Sequence, residues 1–134
     1  RCRLALTGAA PISQSTLDFF ASLGIMIYEV YGQSESTGAG TLALPGAIRP
    51  GTIGRPLPGT EVSIADDGEI LLRGRHVAMG YYKNPEATAD TINADGWLQT
   101  GDVGHVSFHF YLLHLSNKQS KIHFLEGKKG ESLP

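Results

Sequence analysis

The sequence holds a single cysteine, Cys2, so no internal disulfide can form and nothing points to a secreted, disulfide-stapled scaffold. It has no apolar run approaching the ~20 residues that cross a bilayer. An excess of charge is missing too. Eleven basic against thirteen acidic side chains leave a net charge of −2, which gives no basis for non-specific attraction to nucleic acid or membrane. No G-x-x-x-x-G-K-[ST], no G-x-G-x-x-G and no H-E-x-x-H occurs. The opening "RCRLALTG" is apolar and strand-like, lacks a methionine and does not have the form of a signal peptide. Such a start inside an apparent strand is expected of a fragment of something longer.

What is present suits a folded domain. The chain has 134 residues, 41% of them hydrophobic and 18% charged, enough for one core and against disorder. Seventeen glycines and seven prolines imply many turns and short strands rather than a helical bundle. Residues 1–49 read as a βαβ unit. Leu4-Ala5-Leu6 is a short strand broken by "TGAAP". Ser13 caps a helix whose Leu17, Phe20 and Ala21 share a face, with Gly24 as its left-handed stop. Ile25 to Val30 is the run expected of a strand buried on both faces of a parallel sheet. Residues 50–106 read as antiparallel β: Glu61 to Ile64 alternates, "DDG" at 66–68 turns, and Ile70-Leu71-Leu72 returns. Asn84 and Pro85 suit the start of a short helix through Ala89, and "NADG" precedes a strand "WLQT". Residues 107–134 form a tail with an aromatic patch and a Lys-rich end. The expected class is α/β to α+β, the βαβ edge of a parallel sheet followed by an antiparallel, barrel-like subdomain.

The chemistry gathers in the loops. In an open α/β sheet, ligands collect at the carboxyl ends of parallel strands, and both "TGAA" (7–10) and "YGQSESTG" (31–38) leave such ends. Glycines let a ligand approach the backbone, and Ser34, Ser36 and Thr37 can donate to phosphate oxygens. Glu35 is a hard oxygen ligand suited to Mg²⁺ beside a phosphate, and Tyr31 offers a flat face to a base. "DGWLQTGDVG" places Asp102 in a glycine-flanked loop straight after a strand, where a carboxylate could accept both hydroxyls of a ribose. Each stretch alone also reads as an ordinary turn. His105 and His109, four apart, read as solvated or half-buried imidazoles rather than a zinc site. Lys118, Lys121, Lys128 and Lys129 read as a solvated end rather than a nucleic-acid patch, because aromatics for base stacking are mostly absent among them.

Taken together, the stretches resemble the AMP-forming acyl-CoA synthetase and adenylate-forming superfamily. "YGQSE" resembles its Y-G-x-[ST]-E motif and "TGAAPIS" its G-[AG]-[AP]-[IL] segment. "GEILLRGRHVAMGYYKNPEAT" is similar to its G-E-[IL]-x-[IVL]-[RK]-G-x-x-x-[MF]-x-G-Y segment, and "DGWLQTGDVG" to its G-W-[LF]-x-T-G-D signature. These fall in the family's order across residues 4–106. "FFASLGIMIYEVYGQSESTG" looks most like the long-chain fatty acyl-CoA synthetases, including the bubblegum-like group.

The resemblance implies a fragment of the large N-terminal domain of an enzyme that uses ATP, Mg²⁺ and coenzyme A. In that chemistry a fatty acid or other carboxylic acid attacks the α-phosphate of ATP, releasing pyrophosphate. The thiol of coenzyme A then displaces AMP from the acyl-adenylate. By the same resemblance Tyr31 stacks on adenine with Gly8, Ala9 and Ala10 beside it. Ser34 contacts the α-phosphate, Glu35 holds the metal, Asp102 binds the ribose hydroxyls, and Gly32, Gln33 and Gly38 lie near the acyl end. Beyond the nucleotide no nucleic acid is expected. The expected location is cytoplasmic, with peripheral membrane contact left open for a full enzyme.

Parts of the family pattern have no counterpart here: the upstream phosphate loop with its lysine, and the mobile C-terminal domain with its catalytic lysine. Where a G-R-x-K-like hinge is expected, the sequence has Ser116-Asn117-Lys118-Gln119. Either the end has diverged or a reading-frame or splicing change replaced it. The fragment is therefore expected to be inactive by itself. Other readings are an aryl-CoA ligase, a peptide-synthetase adenylation domain, a luciferase-like enzyme, or a truncated non-catalytic protein that binds nucleotide weakly or serves in interactions.

Overall fold

The computed structural model describes residues 3–43, 51–107 and 112–115. Strand β1 (Ala5–Thr7) leads through the "GAAP" turn to helix α1 (Gln14–Ser22) and on to β2 (Ile27–Gln33). The helix starts where the sequence places it. The Ser13 side chain accepts from the Thr16 N–H, satisfying a donor that the first turn leaves open. It stops at Gly24, whose φ of +74° is the left-handed geometry that a glycine takes without a Cβ penalty. β1 and β2 pair in parallel, Leu6 opposite Tyr28, which makes the βαβ unit.

The sheet then changes sense. A 3-10 turn at Ser34–Ser36 sends the chain back along β2 as β3 (Gly38–Leu42), and β4 (Arg55–Pro56) follows, so the order is β1-β2-β3-β4 with antiparallel pairing after β2. β2 differs from the expected strand in two ways. It runs on through Tyr31-Gly32-Gln33, because these residues pair with β3. It is mostly half-buried rather than enclosed, and Ile25 and Met26 before it stay exposed, since α1 covers only part of one face.

The second sheet is an antiparallel meander of β5 (Thr60–Ile64), β6 (Glu69–Gly74), β7 (Leu98–Ser107) and β8 (Leu112–Leu115). Its described strands form an open sheet. The "DDG" turn closes β5 on β6, with Val62 opposite Leu72, and the Asp67 side chain accepts from the Glu69 N–H within that turn. Glu61 and Arg73 face each other across the same pair as a salt bridge, and the Arg73 guanidinium lies over the Trp97 ring. Helix α2 (Pro85–Thr91) begins at Asn84, whose side chain accepts from the Ala87 N–H, and runs two residues past Ala89. The tail expected at 107–134 lies outside the described residues except for Ser107 and β8, and so does His109.

One core serves both sheets. Ile70, Leu72 and Leu98 are fully enclosed and cluster with Tyr31 from the first sheet and Ile53 from the segment leading into β4. Gly40 of β3 sits so close that a Cβ there would stand 3.0 Å from a Leu72 methyl, so sheet-to-sheet contact is backbone against side chain. Burying three such side chains contributes roughly 1.5–3 kcal/mol each by transfer from water. That packing fixes how β2 and β7 approach one another, which is what builds the site.

Candidate functional site

The glycine-rich turn after β1, the end of β2 and the middle of β7 meet at a cleft of about 180 Å³. Gly8, Ala9 and Ala10 form one wall, Tyr31 and Gly32 another, and Asp102 the third. Ala9 holds a φ of +69°, a left-handed conformation uncommon outside glycine, which lets the short turn fold tightly over the cleft. At Gly8 a Cβ would come within 3.1 Å of the Val30 carbonyl oxygen, so the turn lies directly on β2.

Asp102 is placed differently from the expected loop. β7 does not end at Thr100; it runs to Ser107 and carries a bulge. Leu71 pairs with Gln99 and Glu69 with Val103, so Thr100, Gly101 and Asp102 occupy the place of one residue on β6. Bulges of this kind re-aim a side chain. Gly101 takes φ +73°, its N–H donates to Glu69 Oε1 at 2.7 Å, and the Thr100 hydroxyl donates to the Ile70 carbonyl at 2.7 Å. The result is an exposed Asp102 carboxylate facing the cleft, and its Oδ2 accepts from the Tyr31 hydroxyl at 2.9 Å. This bond joins residues 71 positions apart and closes the two sheets on each other at the cleft. Burial pushes the Tyr31 phenol far above its ordinary value; the Thr100 hydroxyl opposes the shift, and the carboxylates of Asp102 and Glu69 add to it. The phenol is therefore a permanent donor. The residue as a whole is only 7% exposed, so it presents a narrow margin to the cleft rather than a bare face.

The hydroxyls of the 3-10 turn divide into two sets. Ser36 is enclosed: its Oγ accepts from the Gln33 N–H and lies within reach of the Gln33 and Gly38 carbonyls, each at 3.0 Å. Thr37, left-handed at φ +58°, donates to the His76 carbonyl at 2.6 Å. Both side chains hold the turn together: Ser36 is enclosed, and Thr37, though exposed, spends its hydroxyl proton on the His76 carbonyl. Ser34 stays exposed, as expected for a group available to a ligand. Neither Ser34 nor Glu35 lines the cleft; both lie beyond the end of β2, next to it in sequence. Gln33 closes β2 opposite Gly38.

Glu35 is anchored from the segment between β6 and α2. Tyr81 donates its hydroxyl to Glu35 Oε1 at 2.6 Å, and the Ala78 N–H donates to the Glu35 carbonyl at 2.7 Å. The Tyr81 bond, with help from the residue's own backbone, holds the carboxyl below its usual range and so ionised. No group of three or more metal-ligating side chains exists among the described residues, so a closed protein cage is absent there. A single ionised carboxylate fits Mg²⁺, which takes one or two carboxylates and leaves its other positions to phosphate and water.

Sequence reasoning missed three participants. Glu29 lines the cleft, and its burial raises its carboxyl above the usual range. The signal was there: a lone carboxylate inside the apolar run "IMIYEV". Tyr81 and Glu69 belonged to a stretch read only for its pattern, and their partners lie 46 and 32 residues away.

Comparison with known proteins decides the family. The model of the AMP-binding enzyme family matches residues 1–82. This chain belongs to the AMP-binding enzymes. Among curated AMP-binding relatives it is 47% identical over 126 residues to the putative fatty-acid–CoA ligase fadD11 of Mycobacterium tuberculosis, covering 94% of this chain and 22% of that protein. It is 39% identical over 139 residues to the long-chain-fatty-acid–CoA ligase ACSBG2 of Xenopus laevis, covering 100% of this chain and 18% of that one. The chain thus spans about a fifth of the length of the curated relatives it matches. The crystal structure of the N-terminal domain of FACL13 from Mycobacterium tuberculosis superposes with a TM-score of 0.71 at 31% identity, over 84% of this chain and 31% of that domain. The mixed α/β sheet and its antiparallel companion are therefore the architecture of an AMP-binding N-terminal domain.

Proposed function

We propose that these residues form the adenylate-binding wall of a long-chain fatty acid–CoA ligase, which couples ATP cleavage to AMP with thioester formation on coenzyme A. The reading rests on one observation. The cleft brings Gly8–Ala10, Tyr31, Gly32 and Asp102 together from three separate stretches, as a nucleotide would require. In this reading Asp102 accepts the ribose hydroxyls, the margin of Tyr31 and the Gly8–Ala10 turn bracket adenine, and Ser34 donates to the α-phosphate. Gln33 and Gly38 lie toward the acyl end. Glu35 would hold Mg²⁺, which supplies positive charge beside the phosphates. The carboxylate of the acid attacks the α-phosphorus, pyrophosphate leaves, and the coenzyme A thiol then takes the acyl group as AMP departs. The main demand of such displacements is charge stabilisation. The fatty acid as substrate is supported by the relatives, whose names specify fatty-acid–CoA ligases.

The domain reading follows: residues 1–49 supply the edge of the adenylate-forming sheet and residues 50–106 the antiparallel subdomain. The 134 residues taken alone are expected to bind nucleotide without turning it over. No described helix is long and apolar enough to cross a membrane. Calorimetric titration of the chain with AMP tests the reading. Binding should be measurable for the wild type and weakened at least tenfold by Asp102→Ala, about the loss of one charge-assisted hydrogen bond. Equal heats for both proteins sink it.

A further inference from the structure

Asp102 would be a poor ribose reader on a free loop, because an unrestrained carboxylate loses conformational entropy on binding. It is not free. On one side the Tyr31 hydroxyl donates to its Oδ2 at 2.9 Å. On the other its backbone is set by the bulge, where the Gly101 N–H is satisfied by Glu69 Oε1 at 2.7 Å and the Asp102 N–H points at the Thr100 hydroxyl at 3.2 Å. The bulge needs an acceptor there, since Gly101 at φ +73° has left the ladder and its N–H no longer faces a β6 carbonyl.

We propose that Glu69 and the Tyr31 hydroxyl are positioning residues for ribose recognition, Glu69 by holding the Gly101 bulge and Tyr31 by fixing the Asp102 carboxylate from the opposite sheet. The inference deepens the nucleotide reading and rests on it. With Oδ2 tied to the phenol, the Asp102 carboxylate that lines the cleft is held in a set orientation, and this favours a vicinal pair of hydroxyls over a single one. Sugar discrimination then depends on the contact between the sheets as well as on Asp102 itself. The amide oxygen of glutamine can still accept from the Gly101 N–H, whereas alanine cannot, so the two substitutions at Glu69 separate the hydrogen bond from the charge.

The test compares AMP with 2′-deoxy-AMP by calorimetry on the wild-type chain, Glu69→Gln, Glu69→Ala and Tyr31→Phe, with circular dichroism confirming that each folds. The wild type should prefer AMP by about tenfold, the value of one hydrogen bond to a charged group. Glu69→Gln should keep that preference, and Glu69→Ala and Tyr31→Phe should bring the ratio close to one. Ratios unchanged in both of the latter overturn the proposal. A ligand-free arm follows the Asp102 carboxyl carbon by NMR, whose resonance should move in Tyr31→Phe. If the wild type binds neither nucleotide, the functional reading falls. The NMR arm then judges the positioning alone, and an unmoved resonance overturns that as well.

Discussion

Glu29 and Glu35 are carboxylates six residues apart whose environments push them in opposite directions. Tyr81 hydrogen-bonds to Glu35 and favours its charged form, while burial along β2 disfavours the charged form of Glu29. The sign of the Glu29 effect on stability follows. Its folded pKa lies above the unfolded one, so its contribution is fully present below the unfolded-state pKa. It is lost as pH rises through the folded value, because the native protein must then carry a desolvated anion. Glu29→Gln removes that penalty. Urea unfolding should find the variant more stable than the wild type near about pH 8, and no more stable near about pH 3, where both states are protonated. A gain of equal size at both pH values would show that the substitution acts through packing and not through charge.

At the scale of elements, the β2–β3 hairpin is the most tightly constrained part of the site. Its register shifts between Tyr31 and Gly32, and there the strands approach so closely that a Cβ on Gly32 would lie 1.7 Å from the Gly38 carbonyl oxygen and 2.8 Å from the Gly40 nitrogen. Both obstacles are backbone and cannot rotate away. Gly32→Ala should therefore cost about 3 kcal/mol or more in chemical denaturation. Gly24→Ala, with open space around it but φ +74°, should cost only about 1 kcal/mol. Equal losses in the two variants would mean that the hairpin does not close at this register. This contrast also marks what the sequence made legible. The Ser13 cap, the Gly24 stop, the "DDG" hairpin and the Asn84-Pro85 start are local signals, complete within four residues, and each forms where its residues indicate. The Gly32 approach and the β7 bulge depend on partners on other strands. Asp102 was therefore readable as a ribose candidate but not as a member of a continuing strand, and the hydroxyls of Ser36 and Thr37 could not be told from those of Ser34.

Among the described residues, the space between the sheets is closed while the surface around α1 and β1 is open. Between the sheets the core is fully enclosed, and the Tyr31–Asp102 bond seals its rim. Around α1 and β1 the opposite holds. Leu6 is 53% exposed, Phe19 58% and Leu23 59%, with Ile25 and Met26 alongside. β1 is also an edge, with β2 as its one strand neighbour among the described residues. Exposed apolar side chains beside an open edge favour association of the isolated chain, because strand pairing at that edge would also cover nearby apolar area. Sedimentation across a range of concentrations should show the average mass of the 134-residue chain rising with concentration. Leu6→Lys with Phe19→Glu should suppress that rise, since the first places a charge on the edge strand and the second breaks the apolar patch. A wild-type chain that stays monomeric at high concentration would overturn this expectation. The cleft lies at the carboxyl end of β1, next to this face, so any partner that adds a strand there would also extend the cleft's rim beyond the Gly8–Ala10 turn.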